Sequence, residues 1–369
     1  MPSNLILEKV GASRWIARIM IGWGIVSGCF AFIQGPISFF ILRFTLGLAE
    51  AGFFPGMILY FTYWFPPHHR SRIVAGFMAA IPVSIGLGAP VSTAFLELDG
   101  VLGLAGWKWL FLGEAAPALI FGLICYFYLP DRPAHAKWLA PEGKAWLLGE
   151  MAKEQQTVET GRRLSVLQTL INWRVLALGG IHFGQAGVSV GLAVFVAQII
   201  KQLGLTNMET GFMTVIPYAA GTIGMVVWGH ISDQMHERRW NLTLSCLTMG
   251  AGCVLAGWCG ASYWSLLGLS LATVGLYASN AHLFPLPAVF LTGPALASGI
   301  AWVNSVGILG GSVSPPVVGY LRDLTGNFTG GLYALALFAL FASVISAVAV
   351  REAPEPQKQK AGTLAATAG

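Results

Sequence analysis

The chain has 369 residues, of which 55% are hydrophobic and only 10% charged, with a mean hydropathy of +0.68 and a formal net charge of +5. A soluble domain carries about 25% charged residues, so this composition excludes a soluble enzyme or binding module and defines an all-α polytopic membrane protein. The positive balance requires no nucleic acid, because the distribution of charge along the chain explains it.

A spanning helix needs about 20 mostly apolar residues. Ten stretches qualify, at residues 16–33, 37–65, 73–95, 109–129, 175–200, 211–232, 241–259, 263–290, 294–318 and 331–350. Residues 1–15 contain no apolar region of the signal-peptide kind. Four spans precede and six follow the one long polar segment, residues 130–174, whose core "PEGKAWLLGEMAKEQQ" suits a short amphipathic helix. The expected organisation is an N-terminal transmembrane half (1–129), a linker (130–174), a C-terminal transmembrane half (175–352) and a disordered Ala-, Pro- and Lys-rich tail (353–369).

Threading the spans back and forth places seventeen of the 21 Lys and Arg residues on one side and three (Lys108, Lys201, Arg322) on the other, with Arg43 inside a span. Basic residues favour the cytoplasmic side. Both termini and the linker are therefore expected in the cytoplasm, with the chain in the inner or plasma membrane. The five cysteines, Cys29, Cys125, Cys246, Cys253 and Cys259, lie in apolar stretches without CxxC spacing, which suits packing. His68 and His69 have no partners at metal-ligand spacing. No nucleophile–base pair or phosphate-binding glycine loop stands out. Neither metal, cofactor nor enzymatic chemistry is expected.

The second span holds "RFTLGLAEAGFFPG", residues 43–56, in which Arg43 and Glu50 are seven residues apart. Two helical turns separate them by about 10 Å at nearly the same angular position. A charge at the bilayer centre costs about 2.5–3.5 kcal/mol on insertion scales. Two charges on one helix face therefore belong in a water-filled cavity or the bundle interior. For Arg43 the other reading is snorkelling to the outer interface; for Glu50 it is a purely structural role.

Two turns look alike: "NLILEKVGASRW" (Asn4 to Trp15) and "GHISDQMHERRW" (Gly229 to Trp240). Each sets an acid ahead of a basic cluster and a Trp. Glu8, Lys9 and Arg14 in the first, and Asp233, Arg238 and Arg239 in the second, can latch neighbouring helices, or they can be incidental charges of a positive-inside loop.

"GHISDQMHERRW" resembles the loop signature of the major facilitator superfamily. With "RFTLGLAEAGFFPG", "YWFPPHHRSR", "GWKWLFLGEAAPA", "LPDRPAHAKWL" and "AQIIKQLGLTNMETGFMTVIPYAAGTIGMVVWGHISD" it resembles the anion:cation symporter branch, within which it is most similar to tartrate, phthalate and hydroxyphenylacetate permeases. The resemblance covers nearly the whole chain. It implies the twelve-helix major facilitator fold, here with about ten helices (four plus six). Residues 2–8, "PSNLILE", match the end of the family's second helix, so the chain is expected to be N-terminally truncated, lacking the family's first helix and most of its second.

The resemblance implies a secondary transporter that moves a small organic carboxylate with protons, by alternating access, as a monomer in the lipid bilayer. It assigns the substrate carboxylate to Arg43, whose planar fork suits bidentate pairing, and the coupled proton to Glu50. Asn304 matches a substrate-facing position, with a helix–helix hydrogen bond as the other reading. Gln198 matches a further substrate position. Ala197 replaces a Pro usual in the branch, Ser189–Val190 a Tyr, and Ile308 an Asn. His182, Gln185 and Glu114 are expected to be structural. The rival readings are an efflux antiporter, an inactive truncated fragment and, more remotely, a membrane enzyme.

Overall fold

A computed structural model describes residues 7, 10–136, 138–159, 166–235, 237–291 and 293–350. Glu8, Lys9 and the tail 353–369 lie outside the described residues. The described residues contain helices and no strand. The first half comprises α1 (Ala12–Cys29), α2 (Pro36–Glu50), α3 (Phe53–Trp64), α4 (Pro67–Leu96) and α5 (Gly106–Tyr128). Two connecting helices follow, α6 (Pro141–Glu159) and α7 (Val166–Ile171). The second half comprises α8 (Trp173–Lys201), α9 (Asn207–Met235), α10 (Arg238–Cys259), α11 (Trp264–Leu283), α12 (Pro287–Phe290), α13 (Gly293–Thr325) and α14 (Thr329–Ala349).

Seven helices among the described residues are long and apolar enough to cross a membrane: α1 with its 3-10 extension, α4, α5, α8, α9, α10 and α14. The other three expected spans depart from a simple apolar rod. Residues 37–65 divide into α2 and α3 at Ala51–Gly52. Pro55 has no N–H to give the Ala51 carbonyl, and the hydrogen bonds resume with Gly56 N–H to Gly52 O at 3.0 Å. Residues 263–290 divide into α11 and α12. The expected 294–318 lengthens into α13, 33 residues that include Asn304, four serines and the Pro315–Pro316 pair. The amphipathic segment of the linker is helical, as α6.

Small residues set the helix spacing. Gly252 on α10 and Gly268 on α11 lie so close to the facing backbone that a Cβ on either would overlap it. In a membrane, where the hydrophobic effect between helices is absent, such approach supplies the van der Waals contact that holds a pair together. In the second half α8 packs on α13 and α14, and α10 packs on α11 and α14. The halves meet mainly through α4 and α9, where the Thr93 hydroxyl lies 3.9 Å from Met208 Sδ. Burial is unequal: 56% of the α10 span and 50% of the α8 span is buried, against 11% for each of α4 and α5. The first half therefore presents far more of its surface outward, and α2 has no buried residue at all.

Candidate functional site

Helix α2 starts cleanly. Pro36 occupies its first turn, where a missing N–H costs nothing, and the Ser38 hydroxyl donates to Gly35 O at 2.8 Å. Arg43 and Glu50 are both exposed on this helix. The Arg43 guanidinium lies over two rings, 5.3 Å from the centre of Phe30 and 5.2 Å from that of Phe39. Phe39 is one turn earlier on the same helix, so the cation is drawn toward the α2 N-terminus, in the direction away from Glu50. Phe30 is itself stacked on Phe111 of α5, with ring centres 5.3 Å apart. Each cation–π contact contributes about 0.5–1 kcal/mol at an exposed site. Glu50 ends α2, just before the Ala51–Gly52 break.

One turn further on, Phe54 crosses to the second half. Its ring centre is 6.2 Å from Phe77 of α4 and 6.3 Å from Phe284, which caps α11. Phe284 in turn meets the His182 ring edge-to-face at 5.3 Å. His182 Nδ1 is 3.5 Å from Gln185 Oε1, and the half-buried Asn304 lies beside the same imidazole. Sequence reasoning treated His182 and Gln185 as structural. The structure places them beside Asn304, and the aromatic chain from Phe54 ends on His182. Gln198 does not join this group. It is exposed on α8, 13 residues beyond Gln185, which is about 20 Å along the helix. Glu114 accepts a hydrogen bond from the Ser92 hydroxyl and ties α5 to α4.

Each repeated turn has a contact among the described residues. In the first, Asp131 accepts from the Ser13 backbone N–H at 2.8 Å, a carboxylate on an N–H at the start of α1 that has no partner within the helix. Arg14 is exposed. In the second, Arg239 Nε donates to Ala347 O at 3.0 Å, and its Nη2 donates to the same carbonyl near the end of α14. The two contacts correspond: counting α2–α3 and α11–α12 as one span each, each half ties the start of its fourth-from-last span (α1, α10) to the end of its last one (α5, α14). The side chains of Asp233 and Arg238 lie outside the described residues. The segment after α5 is also held under α3, where Tyr60 donates to Pro130 O at 3.1 Å and Trp138 stacks on Trp64 at 5.7 Å.

An all-helical bundle in two halves, with seven helices among the described residues long and apolar enough to cross a membrane, is the architecture of a multi-pass membrane protein. The family model described as Major Facilitator Superfamily matches residues 1–280 and, in a second overlapping match, 178–368; the chain belongs to that superfamily. It is 47% identical over 355 residues to a "Putative tartrate transporter" from Agrobacterium vitis, covering 96% of this chain and 79% of the relative. It is 37% identical to a "Quinolone resistance transporter" from Acinetobacter baumannii, covering 94% and 80%. Among solved structures, a bacterial homologue of the human lysosomal transporter Spinster, in an inward-facing and unoccupied conformation, superimposes with a TM-score of 0.71 at 15% identity, over 94% of this chain and 85% of that one. The anion:cation symporter branch read from residues 43–56 agrees with the tartrate-transporter relatives.

Proposed function

We propose that this chain is a secondary active transporter that carries a small organic carboxylate together with protons by alternating access. The observation that carries the reading is the pair Arg43 and Glu50, both exposed on one short helix within an apolar span. Insertion of such charges is costly, and a transport pathway is the setting that uses them. Arg43 receives the substrate carboxylate and Glu50 the proton. An anion on Arg43 removes a positive field that disfavours protonation of Glu50, which couples the two loads. Asn304 faces the substrate from the second half, and Gln198 contributes nearer the far end of α8. The linker and both termini lie on the cytoplasmic side of the cell membrane, and the unit is a monomer.

Proteoliposome uptake tests this. Radiolabelled tartrate accumulates above its external concentration when an inward proton gradient is imposed, and a protonophore abolishes the accumulation. Uptake that ignores the gradient sinks the symport reading. A second reading, efflux by antiport, is favoured by the 37% identity to the quinolone resistance relative. It requires outward movement of a fluoroquinolone coupled to inward protons, with no response to tartrate.

A further inference from the structure

Helices α9 and α10 are neighbours in the chain, yet among the described residues they have little contact with each other. Both pack on α11, α9 also on α4 and α10 also on α14. A groove of about 520 Å³ is left between them. At one end Gly224 of α9 lies so close to Val274 of α11 that a Cβ would overlap it, and the helices converge. At the other end lie Met235 and Glu237, at the turn into α10. From Gly224 to Met235 the groove runs about 16 Å along the helix. That is half of a hydrocarbon core about 30 Å thick, or one leaflet.

The polar groups of the walls are turned on one another. Trp228 Nε1 donates across the groove to Asn241 Oδ1 at 3.1 Å, and the Asn241 amide nitrogen donates to Glu237 O. The rest of the wall is apolar, and Val227, Ile231, Met235, Trp240 and Leu244 are all exposed. A polar solute finds little to bind there. A helix about 10 Å across and equally long fills well over about 1,000 Å³, too much for this space. A single acyl chain has the right length and chemistry.

The mouth selects among headgroups. The Glu237 carboxylate lines it. The Arg239 guanidinium lies over the ring of Trp240, another lining residue, at 5.1 Å. Arginine near a membrane surface attracts lipid phosphate. A carboxylate accepts from an ammonium that carries N–H groups. We propose that this groove seats one acyl chain of phosphatidylethanolamine, with its ammonium on Glu237 and its phosphate toward Arg239. Phosphatidylglycerol offers the phosphate without the cation, and phosphatidylcholine a cation without an N–H. The site depends on the membrane fold and not on what is transported.

The test places the purified full chain in phosphatidylcholine nanodiscs with a trace of phosphatidylethanolamine bearing a diazirine on its acyl chain. After irradiation and digestion, mass spectrometry locates the label. It is expected to concentrate in residues 224–244. Unlabelled phosphatidylethanolamine displaces it about threefold more effectively than phosphatidylglycerol, the worth of one exposed ion pair. Glu237→Gln keeps the label in the groove and makes the two competitors equal. Ile231→Trp fills the groove and removes the label; should that variant not fold, the competition in wild type and Glu237→Gln still decides. Label spread evenly over the outward-facing helices overturns the site. So does cross-linking of this face to a second copy of the chain with the lipid excluded. Equal competition in the wild type, or a preference for phosphatidylglycerol, overturns the role of Glu237.

Discussion

Phe54 of α3 and Phe284 at the end of α11 face one another across the two halves, with ring centres 6.3 Å apart. Phe54 is backed by Phe77 and Phe284 by His182, so the pair is supported from both sides. Rocking of one half against the other must open contacts of this kind. A Phe54→Cys/Phe284→Cys pair, in a chain otherwise free of cysteine, is expected to stop uptake when joined by a short bifunctional thiosulfonate and to recover on reduction. Full cross-linking with undiminished uptake would show that the two residues need not separate.

Arg43 is expected to act through the shape of its guanidinium as well as its charge. Lysine keeps a cation for the Phe30 and Phe39 rings but replaces a two-pronged donor by a point charge. Arg43→Lys should raise the KM for a dicarboxylate by roughly tenfold or more, a loss of one charge-assisted hydrogen bond. Phe30→Leu removes one of two rings and should raise it by no more than about fivefold, in line with a contact of up to ~1 kcal/mol. Equal KM values for Arg43→Lys and wild type would remove the fork from the account.

The distribution of basic residues predicts a cytoplasmic linker. Trp146 is 58% exposed on α6, within the linker. A cysteine at position 146 should react with a membrane-impermeant maleimide only after the cells are opened. Labelling from outside intact cells would reverse the orientation of every span.

The apolar stretches were legible because hydropathy is a local property, read within one window. Arg43 and Glu50 were legible for the same reason, as charges out of place in such a window. The division at Ala51–Gly52 had its cause in view, at Pro55, but an apolar run long enough to span outweighs one proline in a hydropathy reading. What stayed hidden depends on pairing across the chain. Ser13 and Asp131 are 118 residues apart, and nothing near either announces the other. The room for the His182 ring is made by Gly307, which lies on a different helix and 125 residues further along the chain. The acid expected to serve the first turn from within its own motif, Glu8, lies outside the described residues, and the carboxylate that meets α1 comes from beyond α5.

The two ties at corresponding places should contribute to stability independently. Asp131→Ala leaves the start of α1 without its acceptor, and loss of such a helix-capping group costs about 0.5–2 kcal/mol. Arg239→Ala frees the Ala347 carbonyl at the end of α14 and is expected to cost a similar amount, about 1–3 kcal/mol. The two contacts share no partner, so the double substitution should lower the apparent Tm by close to the sum of the single effects. Thermal unfolding in detergent reads all three variants. A double variant no less stable than either single one would mean that the ties act as one unit.

Glu50→Gln separates binding from coupling. The amide keeps the size and polarity of the carboxyl group but cannot take up or release a proton, so the helix break and the Arg43 site should be undisturbed. A chain that can still bind anion and reorient, yet carries no proton, can only exchange. Proteoliposomes preloaded with unlabelled tartrate should therefore take up labelled tartrate at near wild-type rates. Empty vesicles under a proton gradient should accumulate none. If the variant accumulates tartrate against its gradient as the wild type does, another group carries the proton. If it loses exchange as well, Glu50 belongs to anion binding or to the rocking motion itself.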